Sequence, residues 1–151
     1  MGYAVNVSLR LGGSVKQVRD KKPMLPTPAE TRLLKALWSL KEATVEQIVQ
    51  SFPATEQPNY KTTHTFLRIM ESKGFVEHTI KGKVFVFKPK VREHDVDRAS
   101  VNSLLRQSFG GSASGLLVNL LESDTLKSSE LREMENLIRR YRKSKDGEPS
   151  P

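Results

Sequence analysis

Asn59-Tyr60-Lys61-Thr62-Thr63-His64-Thr65-Phe66-Leu67-Arg68-Ile69-Met70 runs through Gly74 into a basic segment, Val76 to Pro89, and these residues decide how the chain folds. Asn59 is a cap residue, which predicts a helix starting just after it. Thr63, Phe66, Leu67 and Met70 are spaced three to four apart and predict one inward stripe. Lys61, His64, Thr65 and Arg68 fall on the other side. Gly74 suits the left-handed residue that closes a helix. Phe75 to Thr79 then reads as a strand. Lys81-Gly82 reads as a turn, and Lys83 to Lys88 alternates as a second strand with Phe85 and Phe87 on one face. Pro89 ends it.

Upstream, Thr27-Pro28-Ala29-Glu30 is a helix start, with a capping threonine, proline at the first position and a glutamate able to close a capping box. Leu33, Leu34, Leu37 and Trp38 give that helix an apolar face, and Trp38 is expected in the core. Thr44-Val45-Glu46-Gln47 repeats the capping pattern and opens a short helix carrying Ile48, Val49 and Phe52. Three capped helices followed by a hairpin predict a winged helix-turn-helix over residues 25–90. In such a unit the third helix enters a major groove while the ribbon lies along phosphates.

Charge supports that reading. The 151 residues carry a net charge of +8. Residues 1–90 hold fifteen Lys and Arg against seven Asp and Glu, whereas residues 91–151 hold ten of each. The whole cationic excess therefore lies in residues 1–90, as expected of a polyanion-binding module joined to a neutral one. Lys61, Thr62, His64, Thr65 and Arg68 are the candidate recognition residues; a solvated helix face is the plainer alternative. Thr can donate to phosphate or meet a thymine methyl, and Arg can bind guanine in bidentate fashion. Lys81, Lys83 and Lys88 are wing candidates for phosphate, which adds affinity without sequence information. Protection of an exposed strand edge is their other reading. Thr44, near a helix N-terminus, could support a phosphate contact or serve as a cap alone.

Residues 91–143 read as helical throughout. Glu93 to about Ser108 carries Val96, Ala99, Val101, Leu104 and Leu105. Gly110-Gly111-Ser112 is a break, and Leu116, Leu117, Leu120 and Leu121 make a short apolar helix. Ser128 is a cap candidate for the last helix, where Leu131, Met134, Leu137, Ile138 and Tyr141 recur three to four apart. About 50 residues in three short helices make a poor core alone, so burial against a second copy is expected, making this a dimerisation domain. Residues 144–151 read as a disordered polar tail. Residues 1–24 read as a poorly ordered N-terminal extension. The alternation of Val5, Val7, Leu9 and Leu11 leaves an extra strand or a DNA-touching basic arm as the alternative.

Other function classes find little support. The chain has no cysteine, which removes disulfides, thiolate catalysis and thiolate metal sites and fits a cytoplasmic protein. No apolar run approaches the ~18 residues of a membrane span. His64, His78 and His94 show no ligand spacing, so no metal or other cofactor is expected. There is no phosphate loop, nucleophile elbow or paired-carboxylate cleft, and an enzyme is not expected.

Taken in order, several segments resemble the penicillinase repressor family of bacterial transcription regulators (the BlaI/MecI type). They are Leu37-Trp38, Thr44-Val45-Glu46-Gln47-Ile48, Lys61-Thr62-Thr63-His64-Thr65-Phe66-Leu67, Lys73-Gly74-Phe75-Val76, Gly82 to Pro89, Phe109-Gly110-Gly111-Ser112, Leu117-Val118-Asn119-Leu120 and Leu126 to Leu131. The resemblance covers about residues 25–143. Ile69-Met70 departs from the Arg-Leu pair usual there, and the N-terminal extension has no counterpart. Copper-responsive relatives carry a C-terminal cysteine cluster that is absent here. The resemblance implies a homodimeric repressor on an inverted-repeat DNA operator. In some members it also implies relief by proteolysis, triggered by a membrane sensor-protease. Asn119-Leu120 looks like the cut position of those members, with an ordinary helix position as the alternative. A winged helix used only for protein contacts is the second functional class; Lys is depleted at the centres of such interfaces, which speaks against it.

Overall fold

A computed structural model of the chain describes residues 8–11, 14–17 and 24–147. The chain divides into two compact units between Ser103 and Leu104. The first contains a winged helix-turn-helix, as the sequence predicts. Its helices are α1 (Pro28–Leu40), α2 (Val45–Gln50) and α3 (Tyr60–Ser72). Its three-stranded antiparallel sheet comprises β3 (Ala43–Thr44), β4 (Val76–Lys81) and β5 (Val84–Pro89), in the order β3-β5-β4.

Each helix begins where a side chain satisfies its free N–H groups. Thr27 and Glu30 form a reciprocal capping box on α1, and Thr44 and Gln47 form another on α2. Asn59 accepts from the Thr62 N–H at 3.2 Å to cap α3. At the other end of α3, Gly74 has φ +84°. Its N–H donates to the Glu71 carbonyl at 3.0 Å, and the Phe75 N–H donates to the Met70 carbonyl at 2.9 Å. That pair of bonds is a Schellman motif, with Phe75 and Met70 both buried beneath it. The chain is thereby turned sharply from α3 into β4.

The core gathers Leu33, Leu34 and Leu37 from α1, Ile48 from α2, Leu67 and Met70 from α3, and Val76 and Phe87 from the sheet. Truncating any of the fully buried leucines to alanine would cost ~2–5 kcal/mol. Trp38 packs at the edge of this core, and its Nε1–H donates to the Val91 carbonyl at 2.9 Å. Val96 and Ala99, from the start of α4 (Glu93–Ser108), also pack into it, so the first unit continues past residue 90.

The hairpin differs in detail from the expected turn. Lys81 pairs with Val84, leaving Gly82 and Lys83 as the two turn residues, with φ +56° and +72°. Positive φ at both positions matches the right-handed twist of the flanking strands. Glycine adopts it freely, while Lys83 is held there at some cost.

The second unit holds the end of α4, then α5 (Ala113–Glu122) and α6 (Ser128–Asp146). Ser112 caps α5 through the Gly115 N–H. Ser128 is not the cap of α6 but its first residue. Lys127 holds the cap position, where its N–H donates to Glu130 Oε2 at 2.8 Å. The helix continues to Asp146, into the segment expected as a polar tail; residues 148–151 lie outside the described residues. Near the N-terminus, β1 (Ser8–Leu11) and β2 (Ser14–Gln17) pair antiparallel, from Ser8 with Gln17 to Leu11 with Ser14. The rest of residues 1–23, including the alternating Val5 and Val7 and most of the basic segment, lies outside the described residues.

Candidate nucleic-acid interface

Along α3 the inward stripe is Thr63, Leu67 and Met70, with Phe66 half-buried beside it. The opposite face presents Lys61, Thr62, Thr65 and Arg68, four of the expected residues, and all are exposed. The same face also carries Ile69, which the expected set does not include, and Tyr60 is exposed at the first helical position. Ile69 lies four residues beyond Thr65, so helical spacing alone places it there.

His64, the fifth expected residue, stands apart from those four. Its ring is half-buried, with its centroid 5.9 Å from that of Phe85 and 6.4 Å from that of Phe87. It sits three residues before Leu67, at the margin of the inward stripe, and the aromatic face of β5 covers it. Its part is to join the helix to the wing.

That junction is the best-defined polar feature of the site. His78, on β4, stacks on Phe85 with centroids 4.4 Å apart. The Nδ1 of His78 is hydrogen-bonded to Glu71 of α3, and Glu71 also pairs with Arg68 at 3.0 Å. The Arg68 guanidinium lies over the Phe85 ring at 5.6 Å. Helix and hairpin are thus locked by α3 side chains (His64, Arg68, Glu71) meeting wing side chains (His78, Phe85). Arg68 is oriented by this network, and as a half-exposed pair its bond to Glu71 is worth at most ~1 kcal/mol.

The wing lysines are unequal. Lys81 donates to Glu42 at 2.7 Å and Lys88 pairs with Glu77 at 3.1 Å. The Lys81 hydrogen bond, reinforced by its charge, holds the Glu42 carboxyl below its ordinary value. Among the described residues, no carboxylate pairs with Lys61 or with Lys83 at the turn. These two are the cations most free for phosphate. Thr44 is half-buried and engaged as the α2 cap, accepting from the Gln47 N–H at 3.2 Å while its backbone pairs with Val86. It buttresses the sheet beneath the wing.

In the second unit Leu104, Leu117, Leu120, Leu121, Leu137, Ile138 and Tyr141 are exposed, and Leu105, Leu116, Leu131 and Met134 are half-buried. No residue of α5 or α6 is fully buried. Asn119 lies inside α5, its side-chain amide donating to the Gly115 carbonyl at 3.0 Å.

The chain is similar to known proteins along most of its length. It is 26% identical over 117 residues to the penicillinase repressor of Bacillus licheniformis, covering 78% of this chain and 91% of that protein. It is 23% identical over 119 residues to the methicillin resistance regulatory protein MecI of Staphylococcus aureus strain N315, covering 79% and 97%. Among solved structures it is similar to the DNA-binding domain of the repressor BlaI, at 28% identity and a TM-score of 0.42 over 50% of this chain and 90% of that one. The model of the family described as penicillinase repressor matches residues 26–140. The chain belongs to the penicillinase repressor family.

Proposed function

We propose that this protein is a DNA-binding repressor that acts as a homodimer on an inverted-repeat operator. One observation carries the reading. An exposed face bearing Lys61, Thr62, Thr65 and Arg68 is clamped by His64, Arg68 and Glu71 to a hairpin that presents Lys83 at its tip. A helix held against a cationic ribbon has the shape and charge to fill a major groove while the ribbon follows the backbone. One relative is a repressor by name and the other a regulatory protein, which agrees.

Dimerisation is supported by the second unit's own composition. Leu104, Leu117, Leu120, Leu121, Leu137, Ile138 and Tyr141 stay exposed in a single chain, and a second copy would cover them. Proteolytic relief at Asn119–Leu120, by a membrane sensor-protease, belongs to the same proposal. The bond lies within α5, so that helix must first unwind locally.

The test is binding of the full chain to duplex DNA at several salt concentrations. Steep loss of affinity with salt, and preference for one sequence over random DNA, are the expected results. An equal response to all duplexes, or none to salt, contradicts the proposal.

A further inference from the structure

The hydroxyl donors of α3 are largely spent within the helix. Thr65 Oγ1 donates to the Lys61 carbonyl at 3.0 Å, and Ser72 Oγ donates to the Ile69 carbonyl at 2.7 Å. The Arg68 guanidinium is drawn toward Glu71 at 3.0 Å. Ile69 remains at the centre of the outer face, 41% exposed, one turn beyond Thr65 and two beyond Thr62. Lys61, Thr62, Thr65 and Phe66 line a shallow depression of about 240 Å³ on the helix. A lone exposed isoleucine carries little meaning. This one lies on the outward face of α3 near Lys61, which pairs with no carboxylate among the described residues, and beside Thr65, whose hydroxyl is engaged within the helix.

In the major groove only thymine presents a methyl group, so apolar contact there separates thymine from cytosine. We infer that Ile69, backed by Thr62 and Thr65, is a specificity-determining residue that meets the 5-methyl group of a thymine in each half-site. This rests on the DNA-binding reading above and goes beyond it by naming the base feature that is read. Lys61 at the rim of the depression supplies the accompanying phosphate contact, which fixes the register of the helix on the duplex.

The experiment uses the full chain and a duplex enriched by selection from random sequence. Each thymine is replaced in turn by deoxyuridine, which keeps base pairing and removes only the methyl. At one position per half-site the substitution weakens binding about fourfold, as expected for one buried methyl. Ile69→Ala loses that thymine-over-uracil preference at the same position, and Ile69→Val keeps it. Unchanged thermal unfolding of Ile69→Ala confirms that the fold is intact, since the side chain lies at the surface. Enrichment of a duplex that tolerates deoxyuridine at every position overturns this inference and leaves the DNA-binding reading standing. So does Ile69→Ala with full discrimination. If no duplex is enriched at all, the DNA-binding reading fails, and this inference with it.

Discussion

Lys73 Nζ lies 2.7 Å from Glu30 Oε1, joining the C-cap of α3 to the first turn of α1 across 43 residues of sequence. Glu30 is 2% exposed, and its other oxygen accepts the Thr27 N–H at 2.9 Å. One carboxylate therefore starts α1 and fixes the end of the recognition helix. Lys73→Met leaves that buried carboxylate with its cap bond alone. The expected loss is ~1–3 kcal/mol, read as a lower denaturation midpoint. Glu30→Gln, which removes the charge as well, should cost less than Lys73→Met; no loss in either variant would mean that the pair is of no structural weight.

Arg68 and Lys83 should fail differently. Arg68 belongs to the exposed α3 face proposed to meet base edges, so Arg68→Ala is expected to relax sequence preference by ~1–3 kcal/mol of discrimination. Lys83 sits at the wing turn with no carboxylate partner among the described residues, so Lys83→Ala weakens specific and random DNA alike. It also reduces the log–log salt slope by ~0.9. Binding isotherms on both kinds of duplex distinguish the two effects, and identical profiles would refute the assignment.

Glu42 reports on the wing. Its carboxyl is held below its ordinary value of 4.5, first by the Lys81 hydrogen bond and then by the Lys81 charge. A depressed carboxylate adds stability that is fully present above its ordinary value and is lost as the pH falls through the lowered one. Lys81→Ala should move the Glu42 titration upward, followed by carboxyl carbon resonances. Saturating DNA should do the same if Lys81 turns to a phosphate, whereas an unmoved titration would keep Lys81 on Glu42 in the complex.

Leu120→Asp or Ile138→Asp places a charge in the apolar surface of the second unit. Sedimentation should show a monomer, with the unfolding of the winged unit unchanged. Affinity for a two-site operator should fall by ~10²-fold or more, because the second half-site is no longer delivered by the first. A variant that remains dimeric would show that another surface carries the association.

Local chemistry made much of this fold readable in advance. Thr27, Thr44, Asn59 and Gly74 act within one turn of themselves, and each caps where the sequence indicates. What escaped depends on partners distant in sequence. β3 is two residues long and exists only because Ala43 and Thr44 pair with Phe87 and Val86. His64 was assigned outward by spacing, but the register of β5 brings Phe85 and Phe87 over it. Glu30 reads as a cap from its neighbours, and nothing near it announces Lys73. Helical spacing alone places Ile69 on the outer face, four residues beyond Thr65.

The central claim is that two copies of the α3-and-wing unit read one DNA duplex together. Selection of bound duplexes by the full chain, with footprinting and stoichiometry on the winner, tests it most directly. The expected winner is an inverted repeat whose half-sites lie ~10 base pairs apart or a multiple of that, protected by two chains. A bound duplex without repeat symmetry, occupied by a single chain, would contradict it.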